Sequence, residues 1–96
     1  MHVSQHISEG ALILVIIDSD LLGKEFIQGS RQLKFTGLFY QGKEETPEEV
    51  RTHVHKAKII HAAGAQTITF LKQEGYPVEE ATVTVASIPF LQIIQE

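Results

Sequence analysis

Histidine is the residue type in this chain best suited to binding a metal ion, and five histidines are present. On a strand, His2 and His6 would share a face but lie about 13 Å apart at ~3.3 Å per residue, too far for one metal. On a helix, His53 and His55 would not face each other. No i, i+4 pair of histidines, the spacing of a helical metal site, occurs in that stretch. We therefore predict surface or packing histidines and no metal site.

His61 differs from the other histidines because it interrupts an apolar stripe. A buried polar side chain needs a partner, so we expect His61 to hydrogen-bond the backbone of a loop. The alternative is that His61 is a polar group in a small-molecule pocket beside Gly64. Asp18 and Asp20 could form a pair of carboxylates, but Asp is favoured in turns for conformational reasons. We predict no catalytic residue and no cofactor.

The segment 21–43 combines a glycine corner with basic and aromatic side chains. Its start, Leu21 to Lys24, is not a phosphate-binding loop, because the earlier spaced glycine and the following Ser or Thr are absent. Four basic residues and one acidic residue give the segment a charge of +3. Such a surface suits single-stranded nucleic acid or an acidic protein, whereas the alternative is a solvated hairpin face. The predicted binding residues, together with His61, are Gly23, Lys24, Phe39 and Tyr40.

The composition limits the class of protein. With 96 residues, 43% hydrophobic and 21% charged, the chain is typical of a single globular domain, residues 1–96. The absence of cysteine excludes disulfides, thiolate metal sites and thiol nucleophiles. The net charge of −4 disfavours DNA as a partner. The longest apolar run, Ala11 to Ile17, is too short to span a bilayer, so we expect a cytoplasmic protein with no membrane association.

The first half of the chain is predicted to be rich in antiparallel strands. His2 to Ile7 and Ala11 to Ile17 flank a Ser-Glu-Gly turn and should form a hairpin whose second strand is central. Asp18 to Asp20 is expected to cap a short helical turn. Lys24 to Ile27 and Arg31 to Phe35 are predicted as two further strands, and the Phe-Tyr pair after them should cover an edge of the core.

The stretch from Thr46 to Gly75 carries the clearest helical signals. A capping box at Thr46 and Glu49, and a glycine followed by a proline near its end, mark the two termini. Its apolar stripe consists of residues spaced alternately by four and three: Val50, Val54, Ala57, His61, Gly64, Ile68 and Leu71. One helix of this length would run ~42 Å, beyond the ~32 Å diameter of a compact domain. We predict a bend or break at Gly64, and the alternative is a straight helix used in homodimerisation.

After Gly75, residues 76–80 are predicted to form a connection, and Thr82 to Ala86 and Pro89 to Ile94 to form two last strands. The order of elements predicts an α+β domain. We expect a mostly antiparallel sheet with one bent helix or two consecutive helices packed on one face.

The chain resembles domain-of-unknown-function family 424, a group of small archaeal proteins. The residues that carry the resemblance are Leu21-Leu22-Gly23-Lys24, Phe26, Gly29, Phe39-Tyr40, Gly42, Ala57, Gly64, Ile88-Pro89 and Gln92. Two positions depart from the family pattern, which has Asn in place of His61 and Val-Pro-His-Ala-Gln in place of Ile88 to Gln92. A site that depended on that second histidine would be missing here. The resemblance implies an archaeal, cytoplasmic, single-domain protein, and it implies no activity.

Two functions are consistent with these observations. The first is a non-catalytic interaction module, whose Gly23-Lys24 corner and Phe39-Tyr40 loop contact a protein or RNA partner, with the translation apparatus as one setting. The second is a small-molecule binding protein or enzyme with a pocket near His61 and Gly64. A homodimer is compatible with either.

Overall fold

A six-stranded mixed sheet forms the centre of the computed structural model, which describes residues 1–95. Its strands are β1 (His2–Ser8), β2 (Ala11–Ile17), β5 (Lys43–Glu44), β6 (Ile59–Ala63), β7 (Val83–Val85) and β8 (Ile88–Ile94). The strand order is β5-β1-β2-β6-β8-β7. Strands β2 and β6 are parallel and all other neighbours are antiparallel.

The remaining elements pack on the two faces of this sheet. They are the hairpin β3 (Glu25–Gln28) and β4 (Arg31–Lys34), and the helices α1 (Pro47–Val54), α2 (Ala65–Gln73) and α3 (Val78–Ala81). Two short 3₁₀ turns lie at Ser19–Leu21 and Leu38–Tyr40. The predicted α+β fold with a mostly antiparallel sheet is confirmed.

Strand β2 is central, as its uninterrupted apolar sequence predicts. It hydrogen-bonds to β1 on one side and to β6 on the other. Because side chains alternate between the two faces of a strand, Leu14 and Ile16 join one buried cluster while Val15 and Ile17 join another. The sheet therefore separates two cores.

The larger core lies on the helix side and the smaller one lies under the β3–β4 hairpin. The helix side buries, among others, Val50 and Val54 of α1 with Phe70 and Leu71 of α2. The hairpin side buries Phe35, with Leu33, Phe26 and Tyr40 packed against it. The helices thus cover one face, and the hairpin covers part of the other.

The interpretation of residues 46–75 as one bent helix or two consecutive helices is wrong, because a strand lies between α1 and α2. This strand, β6, pairs with β2 on one side and with β8 on the other. His61 and Gly64, assigned to a helical stripe from their spacing, are a strand residue and the N-cap of α2. A continuous seam for homodimerisation through a straight helix is therefore absent from residues 47–73.

Three smaller predictions also need correction. The β3–β4 hairpin is a separate two-stranded sheet, with β3 shifted by one residue from its predicted bounds. Residues 76–80, predicted as a connection, include the first turn of α3. Asp18 does not cap the 3₁₀ turn that follows it through its side chain.

Candidate interaction site

A cleft of about 410 Å³ lies between the corner that follows β2 and the loop 36–42. Leu22 and Gly23 line one side of it, and the loop lines the other. The aromatic residues Phe35 and Tyr40 and the imidazole of His2 also line the cleft. It therefore joins parts of the chain that are far apart in sequence.

Backbone hydrogen bonds fix the corner against the end of the β3–β4 hairpin. The N–H of Gly23 donates to the carbonyl of Phe35 at 2.7 Å, and the N–H of Phe35 donates to the carbonyl of Lys24 at 2.9 Å. The N–H of Lys24 donates to the carbonyl of Leu21 at 3.0 Å, which closes the turn. The side of the cleft formed by this corner is therefore held by main-chain contacts, and the exposed Lys24 side chain projects beside it.

The opposite loop is attached to β1 by three alternate side chains of that strand. The Nε2 atom of His2 lies 2.7 Å from the carbonyl oxygen of Tyr40. The Ser4 hydroxyl donates to the carbonyl of Phe39 at 2.8 Å, and Nε2 of His6 lies 2.8 Å from the same oxygen. A carbonyl oxygen only accepts, so both imidazoles carry a proton on Nε2. These contacts anchor the loop to the sheet.

Gly42 allows the loop to close onto β1. The next residue, Lys43, pairs with Val3 at the start of β5. A methyl group at position 42 would overlap the carbonyl oxygen of Val3. The close approach of the two backbones therefore requires glycine at this position.

The two aromatic residues of the loop point in different directions. Tyr40 packs edge-on against Phe35, with ring centroids 5.5 Å apart, and burial raises the pKa of its hydroxyl. Phe39 stacks on the imidazole of His6 at 4.9 Å and meets the ring of His61 edge-on at 5.4 Å. Tyr40 thus lines the cleft, and Phe39 lies toward His61 at the centre of the sheet.

His61 does not hydrogen-bond a loop backbone, contrary to the expectation from its apolar surroundings. Within residues 1–95 its side chain makes no hydrogen bond, and burial lowers its pKa. The role expected of it belongs to His2 and His6. A partly exposed imidazole on a sheet face can remain hydrated at one edge. His61 therefore does not need a hydrogen-bond partner within the protein.

Gly64 lies against Asp18 and not in a pocket with His61. The Asp18 carboxylate accepts hydrogen bonds from the backbone N–H of Gln66 at 3.1 Å and of Thr67 at 2.8 Å. It also accepts one from the Thr67 hydroxyl at 2.9 Å. Asp18 therefore caps the first turn of α2 from another segment, which gives this buried carboxylate a structural role.

The structure brings some of the predicted binding residues together. Gly23 and Tyr40 line the cleft, Lys24 is adjacent to it, and Phe39 and His61 form a neighbouring aromatic group. Residues that the prediction missed are His2, Leu22, Leu38 and Gly42. For Leu22 and Leu38 the sequence carried a signal, since each is a large aliphatic residue beside a glycine in a predicted turn or loop.

The residues that line the cleft are glycine, aliphatic, aromatic and polar residues. Among residues 1–95, no three His, Asp or Glu side chains are grouped so that they could hold a metal ion. In the same part of the chain, no helix is long and apolar enough to cross a membrane. Of the side chains that line the cleft, His2 has the one imidazole, and its Nε2 is occupied by the loop.

Comparison with known proteins gives a family and a fold. The chain is similar to an uncharacterized conserved protein from Methanopyrus kandleri, whose crystal structure superposes with a TM-score of 0.77 at 24% sequence identity. The match covers 95% of this chain and 87% of that one, and it shows the fold alone. No curated protein matches the chain. The model of a protein family of unknown function, DUF424, matches residues 6–95, and the chain therefore belongs to that family.

Proposed function

We propose that this protein is a non-catalytic interaction module of the archaeal cytoplasm that binds a partner protein at the cleft between Gly23 and Tyr40. The observation that carries the proposal is the cleft itself, whose two sides are fixed by hydrogen bonds before any partner arrives. A preformed site avoids the entropic cost of ordering loops on binding. The translation apparatus, one setting expected from the sequence, is a reasonable first place to look for the partner.

Exposed aliphatic side chains at the rim support a protein partner. Leu22, which lines the cleft, is 44% exposed, and Leu38, next to the cleft residue Gly37, is 77% exposed. Burying such a side chain completely stabilises a complex by roughly 1.5 to 3 kcal/mol. Lys24 beside the cleft adds a positive charge that would favour an acidic rim on the partner.

RNA has less support than protein as the partner. The sequence-based argument for RNA needs aromatic rings that are free to stack on bases. One face of Phe39 is already covered by His6, and Tyr40 packs against Phe35 and Phe39. Phe39 is still 38% exposed, but with one face covered it can stack on a base with the other face only, and Tyr40 is partly buried.

A small-molecule site at His61 and Gly64 also has less support. The cavity that His61 lines measures about 60 Å³, whereas ligand sites usually measure about 300 to 1,000 Å³. Gly64 is not among the residues that line it. The space suits ordered water better than a metabolite.

The proposal can be tested by capture of the partner with matched surface variants. The tagged protein, Leu22→Asp and Ile27→Asp are each used in pull-downs from an archaeal lysate, with and without nuclease, after circular dichroism has shown that they are folded. Ile27 is the control because it is a large aliphatic residue, 67% exposed, that does not line the cleft.

We expect a stoichiometric protein that survives nuclease, is retained by Ile27→Asp, and is depleted about tenfold or more by Leu22→Asp, since loss of a contact in the cleft costs about 2 kcal/mol. Equal capture by both variants would contradict the cleft as the binding site. A partner lost with nuclease would indicate RNA instead of protein.

A further inference from the structure

A second concave surface lies at the other end of the sheet. It is a depression of about 680 Å³ between the β1–β2 turn and the segment 55–59, which joins α1 to β6. The cleft of the proposed function lies near the first residue of β1, and the depression starts at its last residue, Ser8. A seven-residue strand is roughly 20 Å long. The two sites are therefore separate.

The floor of the depression is aliphatic. Ile13 and Ile59 both line it and are directly opposite each other in the β2–β6 pair. The next position in that row, across β8, is Ile94, which is 65% exposed. Ile13 packs at the margin of the cluster under the β3–β4 hairpin, whereas Ile59 and Ile94 belong to neither buried cluster. An apolar strip of the sheet is thus left uncovered next to the depression.

The rim of the depression is basic. His55, Lys56 and Lys58 line it, and the one acidic residue among its lining is Glu9. Four ion pairs occur within residues 1–95, and none involves Lys56 or Lys58. Within residues 1–95, these two ammonium groups are therefore not neutralised by a carboxylate.

The end of helix α1 does not account for these lysines. Basic residues often lie near the C-terminus of a helix, where they interact with its last carbonyl groups. Here the side-chain amide of Gln95 donates to the carbonyls of Val54 at 2.8 Å and Ala57 at 3.0 Å. The last carbonyl of the helix, at Val54, and the Ala57 carbonyl beyond it therefore already have a donor, so Lys56 and Lys58 are not required to cap them.

We propose that the depression binds an acidic amphipathic peptide segment of a partner protein. Aliphatic side chains of the segment lie on Ile13 and Ile59, and its carboxylates face Lys56 and Lys58. The charge of the rim selects an acidic segment despite the net charge of −4 on the whole protein. Isoleucine side chains offer no π face for stacking, so single-stranded nucleic acid fits this floor less well.

This site extends the proposed function from one contact to two. With binding surfaces at opposite ends of the strands, the protein can hold two partners, or two parts of one partner, at the same time. Linked contacts of this kind raise the overall affinity above that of either one.

The test uses the full chain and a defined probe, a fluorescein-labelled peptide of twelve alternating Leu and Glu residues. Binding is followed by fluorescence anisotropy at low ionic strength and mapped by ¹⁵N chemical shifts. We expect shifts confined to residues 8–13 and 55–59, and no binding of the matched Leu-Lys peptide.

Three variants make the result specific to the depression. Lys56→Glu with Lys58→Glu should weaken binding about tenfold, because two attractive charge pairs become repulsive. Glu9→Asn, which removes the acidic group from the rim, should strengthen it about threefold. Arg31→Glu with Lys34→Glu makes the same change in net charge on strand β4 of the hairpin and should leave the affinity within about twofold.

Equal weakening by the two double variants would mean non-specific attraction and would overturn the proposal. Tighter binding of a uridine oligonucleotide at the same residues would overturn it in favour of nucleic acid. Leu22→Asp, the variant that tests the cleft, should have no effect on the peptide, so this experiment can fail without affecting the proposal for the cleft.

Discussion

At the scale of single residues, Gly64 shows how one missing side chain allows the chain to turn from strand β6 into helix α2. Its φ is +101°, and a methyl group there would overlap the Asp18 carboxylate that caps the helix. Gly64 is therefore required both by the backbone conformation and by the space beside it.

We expect Gly64→Ala to lower the free energy of unfolding by about 2 to 4 kcal/mol, because the substitution strains the backbone and displaces a buried, hydrogen-bonded carboxylate. The control is Gly75→Ala, where φ is +93° and no atom lies within 4 Å of the added methyl group. That variant should lose only about 1 kcal/mol. Urea denaturation measures both, and equal losses would show that the contact with Asp18 contributes nothing.

His61 should make the stability of the protein depend on pH. Burial lowers its pKa below the ordinary value of 6.5, so the folded state favours the neutral imidazole. Between the two values the unfolded chain binds more protons than the folded one. The stabilising contribution of the neutral His61 side chain is therefore present above pH 6.5 and is lost as the pH falls through the lowered pKa.

Between about pH 7.5 and pH 5, the free energy of unfolding should fall less for His61→Asn than for the parent protein. Urea denaturation at the two pH values measures the difference. His55→Asn, which removes an exposed imidazole outside the two cores, is the control and should follow the parent. An unchanged pH dependence in His61→Asn would contradict the assigned effect of burial.

Part of the site could be predicted from its residue types alone. Gly23 and Tyr40 were found because a glycine corner and an aromatic pair in a basic segment are unusual enough to notice. The contact of His2 with the loop carbonyl of Tyr40 could not be found, since it joins positions 38 residues apart. Long-range pairs of this kind depend on the strand register and have no local pattern.

At the scale of elements, the β7–β8 turn is built from residues that do not favour its conformation. Ala86 and Ser87 have φ values of 49° and 68°, and Val85 pairs with Ile88, which defines a two-residue hairpin turn. Both central residues of such a turn need positive φ, for which Asn-Gly is the preferred sequence. The N–H of Ala86 donates to the side-chain oxygen of Gln28 at 2.7 Å, which helps to hold the turn.

Replacing Ala86-Ser87 by Asn-Gly should raise the free energy of unfolding by about 1 kcal/mol, because the left-handed backbone is then less strained. The hydrogen bond to Gln28 uses the backbone and should persist. Thermal and urea unfolding measure the change, with Ala86→Asn alone as the intermediate case. A double variant no more stable than the parent would show that the turn is not strained.

The stretch from Thr46 to Gly75 shows which features of an element the sequence reveals. The capping box at Thr46 and Glu49 is present as predicted, because it depends on neighbouring residues only. Strand β6 was missed because a short segment of four apolar residues and one histidine has the same pattern in a buried strand as in a buried helix. Its pairing with β2 and β8 makes this segment a strand, and those two strands lie far away in sequence.

At the scale of the whole molecule, size was a better guide to the fold than periodicity. The longest dimension of the protein is 35 Å, shorter than the ~42 Å that a single helix over this stretch would need. The negative net charge coexists with two concave surfaces that have basic neighbours. Both surfaces lie at ends of the strands, where loops and turns determine which side chains are presented.

The central claim is that the cleft between Gly23 and Tyr40 contacts a partner protein. The most direct test places a photo-crosslinking phenylalanine analogue at position 22, which lines the cleft, and in a second variant at position 27, which lines neither concave surface. Both positions carry exposed aliphatic residues, so the substitutions are matched. After irradiation in cells, we expect one discrete crosslinked protein from position 22 and none from position 27. The same product from both positions, or no product from position 22, would contradict the account.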